Sequence, residues 1–476
     1  MTERIPKSIL IAAVILGPLL LAYFAYARPW YFTSDVYLGG LVLLELLAVA
    51  VWMYRRVFFP FVIVTFLLAG LNLPVGAVWT SARWLVLGLG AAVGSAITLK
   101  ERPYRFGLFH LVALSAVLTA LVSAAVSQYT STSLLKVLSL LLLFVYAATG
   151  ARLAVTGREN RFFAGLLTGC EALVGVIAAF YFLGIEIMGN PNSLGAVTGV
   201  VGAPVLLWGT LLSGEPFAHR RRLVLCAISM YLTVASRSRA GMVAALLSCG
   251  LLCLVLRRYR LMAQGIGVIV ILVAAAAILQ PEALSRTVSS LTASLVYKSK
   301  DERLGLLASR ESPWQHAIDT ISNHFWFGTG FGTADKVRDP TEDLEKFSSS
   351  TATSAEHGSS YLAITTWVGM FGVLPFFVLL LVLLRKVIQT FVWMLRTGNP
   401  SHPAVPLAAV MLAGMLHAGL EDWLFAPGYY LCVFYWCMAF VFVDQAPSPA
   451  LADSRRIFFR RTTGMPQTLG DVASSR

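Results

Sequence analysis

Two arginines in a short turn between apolar segments are suited to holding phosphate. Arg237 and Arg239 stand in the sequence SRSRAG, residues 236–241. A guanidinium at a membrane boundary is costly unless it extends to the headgroup layer or binds an anion. Its planar fork matches the geometry of phosphate oxygens. Two arginines in so short a turn favour a diphosphate site, and a lipid-headgroup anchor is the alternative.

A third arginine opens a second cluster in a long polar stretch. Arg310 precedes Trp314 by four residues, and the sequence GTGFG follows at 328–332. The Ser-Pro pair at 312–313 predicts a helix start, with the helix running to about His324. The glycines permit a close turn in which backbone N–H groups could face an anion. A plain turn explains the glycines equally well.

His357 is the candidate for proton transfer. It lies directly before an apolar segment that ends near Arg385. A neutral imidazole there could accept a proton from a hydroxyl group, and Glu356 or another acid could orient it. A lone histidine is more often structural, so the spacing alone leaves both interpretations open.

Other polar residues carry less specific signals. Lys136, near the outer end of its apolar segment, could reach the cavity that these polar residues would line, or it could extend to the surface. Glu171 lies inside an apolar segment and should face the bundle interior with a partner. Glu421 and Asp422 are adjacent at the outer end of another segment, where they could supply a second acid or end a helix. Asn190 is predicted to cap the helix that follows it.

The elements that position these residues must be membrane helices. Of 476 residues, 57% are hydrophobic and 13% charged, whereas soluble domains carry about 25% charged residues. Apolar runs near the ~20 residues needed to span a bilayer recur along the chain. They are too long and uniformly apolar for barrel strands. We therefore predict an all-α, polytopic transmembrane helical bundle of about 12–14 spans.

The predicted spans and domains follow from the apolar runs. The spans are 9–27, 37–54, 57–73, 83–99, 107–127, 133–150, 162–186, 193–213, 223–236, 240–256, 261–279, 359–384, 403–420 and 427–443. No small-residue cleavage site follows the first run, which predicts a retained span. The domains are the bundle with short loops 1–279, a large outer loop with short helices 280–358, C-terminal helices 359–444 and a basic tail 445–476.

The basic residues predict the orientation. Arginine and lysine recur in alternate connections, around residues 55–56, 100–105, 152–161, 220–222, 257–260 and 385–386, and in the tail. By the positive-inside rule these connections and both termini are cytoplasmic. The loop 280–358 then lies on the outer face. Most of the net charge of +13 is an orientation signal, which argues against a nucleic-acid partner.

The cysteines indicate neither a disulfide framework nor a metal site. All six fall inside apolar segments, and burial as small apolar side chains explains them. No metal-ligand cluster is evident in the outer loop, so no metal or cofactor is predicted.

In their order, these motifs resemble the O-antigen ligase and polymerase superfamily of membrane glycan-transfer enzymes. The features that carry the resemblance span roughly residues 185–380 and are GNPN at 189–192, SRAG at 238–241, Arg310…Trp314…GTGFG at 328–332, and His357…Tyr361…Gly369…Gly372. Two departures leave the subfamily open. Gly358 stands where many relatives have Asn, and the step to Tyr361 is one residue longer.

The resemblance implies transfer of a glycan from undecaprenyl diphosphate, without metal or nucleotide sugar, at the periplasmic face of a bacterial inner membrane and among its lipids. In ligases the acceptor is a sugar hydroxyl of the lipid A–core. Carried onto this chain, His357 is the general base, and Arg237 or Arg239, with Arg310, holds the diphosphate. The possible supporting residues are Glu356, Trp314, Tyr361 and Lys136.

Three alternatives compete with an O-antigen ligase. An O-antigen polymerase would use a second lipid-linked glycan as acceptor, and a protein (pilin) O-oligosaccharide ligase would use Ser or Thr. A polysaccharide transporter or flippase would place charged residues and broken helices near the bundle midplane. Here the polar groups gather at one face, which favours the ligase.

The orientation generates a direct prediction. A cysteine introduced as Ser349→Cys in the outer loop should react with a membrane-impermeant thiol reagent applied from outside, whereas Ser213→Cys should react only after the membrane is opened. The unmodified chain is the control, because its own cysteines lie in apolar segments. Labelling of Ser349→Cys from the cytoplasmic side alone would contradict the orientation.

Overall fold

The chain folds as a helical bundle. A computed structural model describes residues 23, 26–27, 35–71, 76–101, 106–188, 190–212, 214–279, 308–334 and 357–447. Every regular element in these residues is a helix, which confirms the predicted all-α class. The helices are α1 Asp35–Trp52, α2 Tyr54–Gly70, α3 Gly76–Glu101, α4 Leu108–Ala125, α5 Thr130–Val155, α6 Glu159–Phe182, α7 Pro191–Leu212, α8 Pro216–Ala235, α9 Arg239–Val255, α10 Tyr259–Leu279, α11 Ala308–Asn323, α12 Ser360–Thr397, α13 Ala404–Ala418 and α14 Tyr430–Gln445.

These helices make the chain a multi-pass membrane protein. Within the described ranges, six helices are long and apolar enough to cross a bilayer, and α1 and α2 form a further pair bent by 116°. Three shorter apolar helices are α9, α13 and α14. Each predicted span from 37–54 onwards coincides with a helix. Nearly all of the first predicted span and of the tail lies outside the described residues, as do residues 280–307 and 335–356 of the outer loop.

The bundle has two ends of different character. We define the loop end by the connections 126–129, 183–188, 236–238, 308–334, 357–359 and 419–429, and the basic end by the connections 156–158, 214–215, 256–258 and 398–403. At the loop end a hydrogen bond joins two connections, from Ser127 to Thr329. At the basic end Trp208 of α7 donates to the carbonyl of Pro400 in the connection 398–403. The polar motifs found in the sequence therefore meet at the loop end.

The centre of the bundle is formed by helices from distant parts of the chain. Residues Tyr430 to Phe442 of α14 are all buried, as is nearly all of α7. A small residue allows the closest approach, since a methyl group at Gly414 of α13 would lie 2.3 Å from the ring of Tyr435. Such small-residue contacts replace the hydrophobic effect as the source of packing between helices in lipid.

Helix α12 is broken where a loop segment inserts. Gly369 has φ +65° and ψ −176°, which interrupts the helical hydrogen bonds. The segment 325–330 supplies the missing partners. The four bonds run from Met370 N to Phe325 O (2.8 Å), Phe371 N to Trp326 O (3.1 Å), Thr329 N to Thr366 O (3.0 Å) and Gly330 N to Trp367 O (3.0 Å). Because lipid offers no partner to a free peptide group, the break depends on this segment.

Ion pairs fix the basic end. Arg152, 2% exposed, binds Asp444 through two bonds of 2.6 Å and 2.9 Å. Glu171 lies 2.6 Å from Arg221 and 2.8 Å from Arg222, so the prediction that it faces the bundle interior with a partner is confirmed. In the low-dielectric interior, such charges need partners because an isolated one is costly.

Helix α11 begins earlier than the sequence indicated. The helix starts at Ala308, so Pro313 lies inside it and not at its first turn. Proline removes one backbone bond, which would have been made to the carbonyl of Ser309. That carbonyl belongs to the first turn of the helix, where water or a polar group can replace the missing donor. The predicted end near His324 agrees with the observed end at Asn323.

The break at Gly369 generates a stability prediction. Gly369→Ala should cost about 1–3 kcal/mol for the backbone conformation alone, because φ +65° with ψ −176° is a region that is essentially restricted to glycine. It should cost more because the new methyl would lie 2.5 Å from the Trp326 carbonyl. Gly398→Ala is the matched control, with φ +63° and open space around it. Thermal unfolding in detergent should show a clearly larger drop in midpoint temperature for Gly369→Ala than for Gly398→Ala. Equal drops in midpoint temperature would mean that segment 325–330 does not fill the break tightly.

Candidate functional site

A histidine–carboxylate pair lies at the loop end. His357 is 2% exposed and stands three residues before the start of α12. Its backbone N–H donates to Asp422 Oδ2 at 3.2 Å, and its ring Nδ1 lies 3.7 Å from the same oxygen. Asp422 belongs to the connection between α13 and α14, which we call the acid loop, residues 419–429. The pair joins two parts of the chain that the sequence separates widely.

Hydrogen bonds hold the turn that carries His357 against the acid loop. The N–H and Oγ of Ser360 both donate to the Glu421 carbonyl, at 3.0 Å and 2.6 Å. Ser360 Oγ in turn accepts from Leu424 N at 3.0 Å. Ser359 caps α12 by accepting from Tyr361 N. These bonds fix the position of His357, because the backbone on either side of Asp422 is tied to the start of the helix.

The contact with Asp422 also determines the charge of that carboxylate. Burial alone would raise the pKa of the Asp422 carboxyl, because it penalises the charged form. The bonds and charge interaction with His357 outweigh burial, so the pKa of Asp422 lies below its ordinary value of 3.8. Asp422 is therefore ionised at neutral pH and presents a negative charge to the imidazole of His357.

Trp314 and Trp367 enclose the histidine. Trp314 Nε1 donates to the carbonyl of Gly358, the next residue, at 3.4 Å. The ring of Trp367 meets the imidazole edge to face, with centroids 5.7 Å apart. In the described part of the chain the buried indole N–H of Trp367 has no hydrogen-bond partner. The imidazole thus has an apolar wall on one side and a carboxylate on the other.

The glycine-rich turn at 328–332 packs against neighbouring helices. This agrees with the alternative that its glycines form a plain turn. The N–H groups of Thr329 and Gly330 are bonded to α12 and do not face an open cavity. Contacts to α4, α5 and their connection hold the turn: Ser123 to Phe327 O (2.8 Å), Ser127 to Thr329 O (2.7 Å), Ser133 to Phe331 O (3.1 Å) and Lys136 Nζ to Gly332 O. Lys136 therefore supports this turn directly.

The two arginines of the 236–241 turn flank a helix cap. Arg237 is exposed with φ +54°, and Arg239 is half-buried in the first turn of α9. Ser238 between them accepts from Gly241 N at 3.2 Å and caps α9. Arg257 at the basic end has the same φ, so the left-handed backbone alone does not mark a functional residue.

Contacts through α7 place the arginine turn on the same surface as the acid loop. A methyl group at Gly195 would lie 2.3 Å from Ser238 Cβ, so α7 and α9 are in direct contact there. Two residues earlier in α7, Ser193 Oγ lies 3.3 Å from the hydroxyl of Tyr429 in the acid loop. Asn190 caps α7 as predicted, by accepting from Asn192 N.

The remaining predicted site residues fall at the same end or outside the described structure. The Tyr361 hydroxyl donates to Met415 O at 2.7 Å, a bond that joins α12 to α13. The backbone of Arg310 lies in the first turn of α11, four residues before Trp314, but its side chain lies outside the described structure. Glu356 lies outside the described residues, and the carboxylate that contacts His357 is that of Asp422.

Sequence reasoning missed the roles of two residues of this site. The sequence offers Asp422 as a second acid or a helix end, and it gives no signal for Trp367. The structure places both beside His357. The contact with Asp422 joins distant segments of the chain, which spacing does not reveal.

The fold and the loop-end cluster define a polytopic helical membrane protein in which a buried histidine contacts a partly exposed carboxylate at one end. Residues 224–377 match the sequence profile of a family described as O-antigen ligase. This match supports membership of the chain in the O-antigen ligase superfamily, whose members are glycosyltransferase-like ligases. No curated protein matches the chain. The matched stretch contains Arg237, Arg239, Arg310 and His357, whereas Asp422 lies beyond it.

The lowered pKa of Asp422 generates a pH-dependent stability prediction. Because the pKa of the Asp422 carboxyl is lower in the folded protein than in the unfolded chain, its ionised form stabilises the fold. This stabilisation is complete above the pKa of the unfolded chain, near 3.8, and is lost as pH falls through the pKa of the folded protein. Asp422→Asn should therefore lower the thermal midpoint at pH 7, and the difference from the natural chain should shrink below pH 3.8.

Glu421→Gln is the matched control, because it leaves the backbone carbonyl that binds Ser360 in place. It should lower the midpoint at pH 7 less than Asp422→Asn does. A difference between Asp422→Asn and the natural chain that stays constant from pH 7 to pH 3 would mean that the carboxylate charge contributes nothing.

Proposed function

We propose that this protein is an O-antigen ligase that transfers a glycan from undecaprenyl diphosphate to a sugar hydroxyl of the lipid A–core. The loop end is its active site and faces the periplasm from a bacterial inner membrane, with both termini cytoplasmic. The observation that carries the proposal is His357, buried beside the Asp422 carboxylate at the start of α12. A positioned, oriented imidazole is what activation of a sugar hydroxyl requires.

The proposed reaction begins with proton removal from the acceptor. The 3.7 Å separation between His357 Nδ1 and Asp422 Oδ2 is longer than a hydrogen bond. A small rotation of the ring on substrate binding closes this gap, so that Nδ1–H donates to the carboxylate. Nε2 then accepts the hydroxyl proton, and Asp422 stabilises the imidazolium that forms.

Bond exchange at the anomeric carbon follows. The acceptor oxygen forms a bond to this carbon from the face opposite the diphosphate, and the bond from the carbon to the diphosphate oxygen breaks. Undecaprenyl diphosphate leaves with the electron pair, and the configuration at the carbon inverts. Arg237, Arg239 and Arg310 stabilise the charge that develops on the leaving group. The proposal uses no metal, because arginine side chains supply the positive charge.

The acceptor separates this function from those of related enzymes. A polymerase or a protein O-oligosaccharide ligase would use the same donor and the same base. A transporter would also have a broken helix. Here, however, the break in α12 is filled by residues 325–330 of the same chain, so no substrate path opens through it. The polar cluster at one end favours chemistry there.

Replacing the base tests the mechanism. With purified protein, lipid-linked glycan and rough lipopolysaccharide, His357→Ala should transfer roughly 10²–10⁴-fold more slowly, the usual contribution of a positioned base. The natural chain should lose activity as pH falls through the titration of imidazole, because only the neutral ring accepts a proton. His316→Ala, which removes an exposed histidine of α11, is the matched control and should keep the full rate.

The same assay distinguishes the alternatives. Product on rough lipopolysaccharide identifies a ligase, whereas lengthened lipid-linked glycan without this acceptor identifies a polymerase. Near-normal transfer by His357→Ala would remove this residue as the base. Loss of activity on adding a chelator would contradict the metal-independent mechanism.

A further inference from the structure

Two buried arginines in the bundle differ in how their charge is compensated. Arg152, at the basic end, has a bidentate bond to the carboxylate of Asp444. Arg83, in α3, is 7% exposed, and its one hydrogen bond to the described residues runs from Nη1 to the carbonyl of Gly428 at 2.7 Å. Its Nε is buried with no partner among the described residues. A carbonyl oxygen offers a dipole but no neutralising charge.

Aromatic rings hold the Arg83 guanidinium without neutralising it. Its central carbon lies 5.1 Å from the ring centre of Trp84 and 6.0 Å from that of Phe66. The two rings themselves meet edge to face at 5.8 Å. Such contacts orient a planar cation. Among the described residues no carboxylate forms an ion pair with Arg83, and a buried charge without a counterion is costly. The arrangement is therefore pre-organised for an anion.

The position of Arg83 connects it with the active site proposed above. Gly428, which it binds, belongs to the acid loop that carries Asp422. The next residue, Tyr429, contacts Ser193 of α7, close to the arginine turn. Gly428, Tyr429 and Asp422 are partly exposed, so this side of the acid loop can be reached from outside the bundle.

We infer that Arg83 binds the phosphate of a lipid substrate at the loop end. This inference rests on the proposed function and adds to it a phosphate-binding residue on the N-terminal half of the chain, outside the family match at 224–377. The phosphate belongs either to the diphosphate of the donor or to a phosphorylated lipid acceptor. An arginine suits both, since its fork binds two phosphate oxygens at once.

Thermal unfolding of the full chain in detergent tests this inference with farnesyl diphosphate as the short donor analogue. The midpoint of the natural chain should rise on adding farnesyl diphosphate and not on adding farnesol. Arg83→Gln should weaken the apparent affinity by at least about tenfold, the contribution of a hydrogen bond to a charged group. Its midpoint without ligand should stay level or rise, because an uncompensated buried charge has been removed.

Arg152→Gln is the matched control, since it also removes a buried arginine. It should lower the midpoint without ligand, because it leaves Asp444 unpaired, and it should keep the natural affinity for farnesyl diphosphate. If Arg83→Gln instead lowers the midpoint as Arg152→Gln does and binds the analogue normally, Arg83 is structural and the inference is wrong.

Further ligands show whether the bound phosphate belongs to the donor or to the acceptor. In one outcome, phosphorylated lipid A raises the midpoint of the natural chain but not of Arg83→Gln, while farnesyl diphosphate raises neither. That result would support the inference and assign the phosphate to the acceptor. An equal response to phosphatidylglycerol would make Arg83 a headgroup anchor and overturn it. If no phosphorylated lipid raises the midpoint of the natural chain, the inference fails. The proposed function is judged separately, by glycan transfer in the His357 assay.

Discussion

The loop end depends on the pairing between the broken helix α12 and the inserted segment 325–330. A break at Gly369 leaves carbonyl and N–H groups that lipid cannot satisfy, and four backbone bonds from this segment satisfy them. The segment in turn forms the glycine-rich turn, which reaches Ser127 and Lys136. One interaction thus joins the outer loop to both halves of the bundle and fixes the wall behind His357.

Cations are compensated by different means at the two ends of the bundle. At the basic end, buried or half-buried arginines meet the carboxylates of Glu171 and Asp444. At the loop end, the contacts that the described residues make with the Arg83 guanidinium are a backbone carbonyl and aromatic rings, while the carboxylate of Asp422 is directed to His357. The first arrangement stabilises the protein by itself. The second leaves a buried guanidinium without a described carboxylate beside it, which is the basis of the phosphate contact inferred above.

The sequence predicted the helices and the face that carries the polar residues, because lipid imposes one secondary structure and a charge asymmetry on any chain that crosses it. It also indicated His357 as a candidate base, a role that stays a prediction. It could not identify the partner of His357, since Asp422 lies 65 residues further along. Nor could it join Arg83 to Gly428 across 345 residues. The local sequence pattern indicates at which end of a helix a residue lies. Which side chains come into contact depends on how the helices pack.

The central position of α14 has a consequence for how the protein is made. This helix is the last of those described, yet its residues Tyr430 to Phe442 are all buried. Helices that are synthesised earlier enter the membrane before α14, so the faces that later pack against α14 contact lipid until α14 is inserted. During that interval the acid loop is absent and His357 has no carboxylate beside it. The contact between His357 and Asp422 therefore forms only when the bundle has closed around α14.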